Sequence, residues 1–237
     1  MADLMLRVFP RMIADVGNGA TLTQFLDAAV RQGYAILPAD ALPLLRELQT
    51  AGTLGTLRPG IHADAQPALA AYVQGTSDTF DCSFRFTAPP DQDYGLLFDM
   101  TLTRKGHILF GVNDNTFKYN EYGLRNYERF LEFVTLVYGT WPPLYGYLSA
   151  DAAWDQEEVR ALQANSLCEL TLFGPEYVNK IGRDKFHAAH VWRKMSMKDG
   201  GYILDMGSFA QYTQPNMDVH PHEVADLLGL DAAEFMD

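Results

Sequence analysis

The stretch NSLCELTLFGPEYVNKIGRDKFHAAHVWRKMSMKDGGYILDMGS, Asn165–Ser208, decides the fold. Leu167, Glu169, Thr171 and Phe173 alternate with Cys168, Leu170 and Leu172, an apolar run of strand length that stops at Gly174-Pro175. Pro175 suits the first turn of a helix, because an N–H at that position has no partner within the helix. Tyr177, Val178 and Ile181 give that helix one apolar face, and Gly182 is expected to end it with a positive φ. Val191 to Met197, then Lys198-Asp199-Gly200-Gly201, then Tyr202 to Met206 spell a β-hairpin. Together these pieces are a fold signature without a catalytic motif.

Upstream, the same grammar repeats. Cys82, Phe84 and Phe86 alternate with Ser83, Arg85 and Thr87, the period-two pattern of a half-buried strand. Strands are expected at 94–103 and 107–112, around the Arg104-Lys105-Gly106 turn. A helix follows at 124–138, with Leu124, Tyr127, Phe130, Leu131, Val134 and Val137 at helical spacing and Gly139 and Pro142-Pro143 beyond it. A short strand at 145–148 and an exposed helix at 155–164 lead into the deciding stretch. The order from residue 81 predicts an α+β domain over 81–237: a mostly antiparallel sheet covered by helices on one face. Pro221 to Leu228 reads as a terminal helix ended by Gly229.

Residues 1–80 read as a helical N-terminal module. Leu4, Leu6 and Val8 suggest one short strand. Helices are expected at 21–32, with Thr21 as N-cap and Gly33 after the end, at 40–50, and at 67–74. Two neighbouring helices raise the idea of a DNA reader. However, residues 21–60 offer only Arg31, Arg46 and Arg58 as cations, too few for a phosphate-binding face.

Composition narrows the function classes. The 237 residues are 48% hydrophobic and 20% charged, ordinary for a folded soluble protein, with 14 Phe and 12 Tyr to fill a core. The net charge of −12 disfavours nucleic-acid and anionic-membrane binding, and it permits an acidic face that docks on a basic protein. Two cysteines, Cys82 and Cys168, make no disulfide framework and are expected as free thiols in a reducing compartment. The N-terminal residues lack the pattern of a secretory signal, and no stretch approaches the ~18 apolar residues of a membrane span, so a cytoplasmic location is expected.

The common catalytic signatures are missing: no GxxxxGK[ST], GxGxxG after a strand, GxSxG, HExxH or CxxC occurs. No catalytic residue, cofactor or metal is therefore assigned. His187, His190, His220 and His222, with Glu223, could supply metal ligands only if the fold brought them together. Glu157-Glu158 and the acids of 151–155 read as a solvated helix face. The aromatics are more suggestive. Phe117, Tyr119, Tyr122 and Tyr127 cluster around a polar segment, and Trp154 follows; Tyr and Trp beside Asn and Arg are favoured at protein interfaces. These five residues are the expected partner contacts.

Leu172-Phe173-Gly174-Pro175-Glu176-Tyr177-Val178-Asn179-Lys180-Ile181-Gly182-Arg183-Asp184-Lys185-Phe186, then a Trp-bearing strand and Asp199-Gly200-Gly201-Tyr202-Ile203-Leu204, resembles the C-terminal signature of bacterial toxin-immunity proteins. The group called immunity protein 52, with its type VI secretion relatives, is the similar one, and the likeness runs over about residues 82–230. The resemblance implies a non-enzymatic protein that binds and neutralises a cognate, basic toxin. It carries over no binding residues. A small-molecule enzyme or sensor with a pocket between sheet and helices, and a regulatory interaction module, remain open beside it. A symmetric homodimer fits each reading.

Overall fold

The computed structural model describes residues 3–12, 19–37, 82–87, 96–103, 106–113, 115–118, 123–149, 154–207 and 218–233. Among them nine strands form one sheet, all neighbours antiparallel: β2 (Ala35–Leu37), β3 (Cys82–Thr87), β4 (Leu97–Leu102), β5 (Ile108–Asn113), β1 (Asp3–Pro10), β6 (Pro143–Ser149), β8 (Leu170–Phe173), β10 (Tyr202–Asp205) and β9 (Arg193–Ser196), in that spatial order. The architecture is α+β, an antiparallel sheet covered by helices.

The deciding stretch folds largely as its pattern predicts. Leu170, Thr171, Leu172 and Phe173 are all fully buried, so this strand is sandwiched between two layers and reads as a continuous apolar run. The helix α5 (Pro175–Ile181) ends at Gly182, whose φ is 108°, a backbone setting that a residue with a Cβ rarely adopts. A second short helix, α6 (Arg183–Ala188), follows at once where a loop is expected.

The predicted strand over 167–173 is broken. Ser166–Leu167 (β7) pairs in parallel with β11 (Asp231–Ala232), outside the main sheet. Cys168 N–H donates to Thr171 Oγ1 at 2.9 Å, and this local bond turns the chain between β7 and β8. Likewise the expected helix at 155–164 shortens to α4 (Gln156–Arg160), held by a capping box between Asp155 and Glu158. Glu158 thus has a structural task.

Two corrections concern the layers. Helices cover both faces of the sheet. On one face α1 (Gly19–Arg31) and α3 (Gly123–Thr140) enclose a core that includes Leu6, Phe25, Phe110, Phe133 and Trp141. On the other α5, α6 and α7 (Pro221–Leu228) enclose Tyr145, Tyr147, Phe173, Tyr177, Phe186 and Tyr202. The second correction is at the chain's beginning. The strand expected around 4–8 lies in the middle of the sheet, between β5 and β6, so residues 3–10 share their sheet with residues beyond 81. The helix expected at 21–32 is α1. The helices expected at 40–50 and 67–74 lie outside the described residues. No described helix is long and apolar enough to cross a membrane.

Candidate interaction site

Among the described residues a groove of about 570 Å³ lies between the C-terminal end of α3 and the β9–β10 hairpin. Thr135, Tyr138, Gly139 and Pro142 form one wall, and the consecutive residues Met195 to Asp199 form the other. Its position follows from two local facts. Gly139 and the prolines after it stop α3, and Asp199-Gly200-Gly201 reverses the chain between the last two strands.

A polar knot fixes the hairpin against the helix. The Tyr138 hydroxyl lies 3.2 Å from both the Phe173 carbonyl and Asp199 Oδ1, with one proton to give to either. Asp199 Oδ1 also accepts from the Gly201 N–H at 3.0 Å, and Arg11 pairs with Asp199 and, at 3.4 Å, with Glu176. Gly201 is required by close approach: a Cβ there would sit 1.9 Å from the Tyr138 hydroxyl oxygen and 2.4 Å from the Phe173 carbonyl oxygen. Desolvation pushes the Tyr138 phenol up to about 12, and Arg11 opposes the shift. It is therefore neutral and available as a donor. On the far side of the hairpin Arg183 Nη2 donates to the Gly200 carbonyl at 3.0 Å, and Lys194 Nζ donates to the carbonyls of Phe186, His187 and Ala189 at the end of α6. The groove therefore has firm walls.

A second polar feature lies beneath the sheet. Asp205, fully buried on β10, accepts from Tyr127 Oη at 3.1 Å and from the Gly207 N–H at 2.9 Å through Oδ1; Oδ2 has no hydrogen-bond partner. Burial raises its carboxyl to about 7, opposed by the Gly207 N–H, the Tyr127 hydroxyl and the Arg193 charge. Arg193 itself donates to Glu128 Oε1 at 2.6 Å and lies 4.3 Å over the Trp192 ring. Glu169, nearby in sequence to β8, is also buried.

The five expected partner contacts divide as follows. Phe117 and Tyr127 are fully buried, so as surface contacts they are corrected. Residues 115–118 form the helical turn α2 (Asn115–Lys118), which lays Phe117 edge-on against Tyr127 at 5.2 Å and beside Phe130 at 5.5 Å. Tyr127 sits on the inner face of α3, its hydroxyl spent on Asp205. Trp154 is half-buried and donates from Nε1 to Ser166 Oγ at 3.3 Å. Tyr119 and Tyr122 lie outside the described residues.

Of the histidines, His190 and His220 do meet Glu223 around a small cavity of about 190 Å³ with apolar neighbours Val224 and Leu227. His220 instead engages Asp218 at 3.0 Å, and His187 faces Tyr202. Among the described residues no group of three or more His, Cys, Asp or Glu is placed to hold a metal ion. Cys168 is a buried free thiol whose ionisation burial pushes far up, the mark of an inert cysteine.

Sequence reasoning missed Tyr138, Gly139, Met195 and Asp199 as a group. The available signal was the Asp199-Gly200-Gly201-Tyr202 turn, but its partner Tyr138 lies 61 residues earlier.

No protein-family model matches the sequence, and no curated protein matches it. Among solved structures the chain is similar to a Pseudomonas aeruginosa T6SS protein, with 12% sequence identity, a TM-score of 0.40, and coverage of 98% of this chain and 83% of that one. At that distance the likeness bears on neither activity nor partner.

Proposed function

We propose that this chain is a protein-binding module of the toxin-immunity kind, which neutralises a cognate toxin by docking on it. The observation that carries the reading is the groove between α3 and β9: a recess with apolar walls at Tyr138, Pro142, Met195 and Met197, on a rigid hairpin, at the edge of the sheet. Apolar centres ringed by polar groups suit recognition of another protein. The resemblance of residues 172–186 and 199–204 to toxin-immunity proteins supports the same reading, and Phe173, Glu176, Asp199 and Gly201 of those stretches take part in the knot behind the groove. The net charge of −12 would draw a basic toxin at long range. The test is growth of cells producing the product of the adjacent gene, with and without this chain. Restored growth, together with a stoichiometric complex of the two purified proteins, is the expected result; a chain that neither protects nor binds overturns the reading.

A second reading rests on the groove's size. About 570 Å³ also falls within the range of small-molecule pockets. Native mass spectrometry of the purified chain decides it, since a retained small ligand would favour an enzyme or sensor.

A further inference from the structure

We infer that the open edge of β9 is a strand-docking site: an extended segment of the partner protein pairs with Lys194 and Ser196 and sends an apolar side chain into the groove. The inference rests on the protein-binding reading above and names its site.

The backbone supplies the first argument. β9 ends the sheet, and among the described residues no strand pairs with its other side. Met197 N–H bonds inward to the Gly201 carbonyl at 2.9 Å. In an antiparallel ladder successive residues point their N–H and C=O to opposite sides, so Met195 bonds to β10 while Lys194 and Ser196 present theirs outward. These are the groups that a further strand would need.

The shape supplies the second. Adjacent residues of a strand point to opposite faces, and this groove is lined by both Met195 and Ser196 of β9, then by Met197 to Asp199 of the turn that follows, so it borders the hydrogen-bonding edge. Its other wall is the end of α3, where a Cβ on Gly139 would meet nothing within 4 Å. That leaves room for a side chain brought by the incoming strand.

Charge selects the occupant. Arg193 is paired with Glu128 and Lys194 with the carbonyls at the end of α6, which leaves Lys198, exposed, beside the edge of a chain of net charge −12. A second copy would bring another −12 overall, so the long-range term opposes self-pairing. Exposed Lys198 instead asks for a carboxylate on the incoming segment. A partner that is basic overall but acidic in this one strand satisfies both: the global field brings it in and the local pair sets its register.

The test uses the full chain and two labelled short peptides, one alternating valine with glutamate and one alternating valine with lysine, followed by fluorescence anisotropy. Ser196→Pro removes an outward N–H without touching the bonds to β10, and Gly139→Leu fills the groove from a position with open space. The glutamate peptide should bind the parent chain, and both variants, with unchanged melting, should bind it about tenfold or more weakly. The lysine peptide should bind weakly to all three. Equal binding to parent and variants, or no binding at millimolar peptide, overturns the site. So does a dimer in sedimentation that Ser196→Pro abolishes, which would give the edge to a second copy. If the peptides fail while the chain still protects cells, the docking site falls and the neutralising reading stands; if they bind and the chain does not protect, the reverse holds.

Discussion

The two faces of the sheet are built from different chemistry. Beneath α1 and α3 the core is largely hydrocarbon rings: Phe133 touches Phe25, Tyr34, Phe86 and Phe110 at centroid distances of 5.0 to 5.6 Å, mostly edge to face. Beneath α5, α6 and α7 the large residues are mainly tyrosines, and their hydroxyls have specific partners: Tyr145 gives to the Ser166 carbonyl, Tyr177 to the Val159 carbonyl at 3.1 Å, and Tyr147 accepts from the Trp154 N–H at 3.0 Å. Ring packing is weakly directional and tolerates small shifts. A buried hydroxyl has to find its acceptor or forfeit its hydration. The first face therefore supplies mass, and the second supplies register. The groove opens on the first face, where Met195 and Met197 pack toward α3, and Lys194 ties the same hairpin to α6 on the second.

The largest effect is expected on the hydrocarbon face. Phe133→Ala should cost about 3–5 kcal/mol in urea unfolding, because four rings lose their common centre. A loss below about 1 kcal/mol would mean that the surrounding rings collapse into the space.

Next comes Asp205, which tests whether a charge can live between the faces. Burial lifts its folded-state value from 3.8 to about 7. For an acid shifted upward, the protonated form favours the fold. Its contribution is thus fully present below about 3.8 and is lost as the pH rises to about 7. The shift corresponds to up to about 4 kcal/mol, at roughly 1.4 kcal/mol per unit. Asp205→Asn should flatten that fall relative to the parent chain across the same window. Parallel pH curves would show that Asp205 ionises as freely in the fold as in the unfolded chain.

Gly201→Ala should destabilise by about 1–3 kcal/mol through overpacking. Tyr138→Phe should not rescue it, because the Phe173 carbonyl oxygen would still lie 2.4 Å from the new Cβ. Full rescue would place the constraint in the hydroxyl alone. The smallest and most diagnostic effect is a reciprocal pair: Tyr177→Phe on one face and Phe110→Tyr on the other. Each should cost about 1–2 kcal/mol, the first by orphaning the Val159 carbonyl and the second by burying a hydroxyl without an acceptor. If Phe110→Tyr is neutral, the two faces are less different than their hydrogen bonds suggest.

Local patterns made most of the sheet legible. The hairpin at 191–206, the helix after Gly174-Pro175 and the positive φ of Gly182 depend on neighbours within a few residues, and the chain shows them plainly. What stayed hidden depended on contacts distant in sequence. The break in the strand at Cys168-Glu169 needs the pairing of Ser166-Leu167 with Asp231-Ala232, some 65 residues on. The burial of Phe117 follows from a helix of four residues, too short for a periodic pattern to show. Ile181, expected on one apolar face with Tyr177 and Val178, is only half-buried while the other two are enclosed, because it sits at the last position of a seven-residue helix. Aromatic clustering pointed toward an interface, but hydrophobic burial claimed two of those rings first.

The central position of β1 has a consequence in time. Its two neighbours come from residues 108–113 and 143–149, so a strand made first waits for more than a hundred residues before its pairing is complete. The hairpins β3-β4-β5 and β9-β10 can close on their own, but β1 is the seam between the two halves of the sheet. Such distant pairings slow folding, since the entropy of closing the loop is lost before the contacts form. On a ribosome this chain would carry two half-sheets with unsealed inner edges until β1 slots between them, and that interval is its greatest exposure to misassembly.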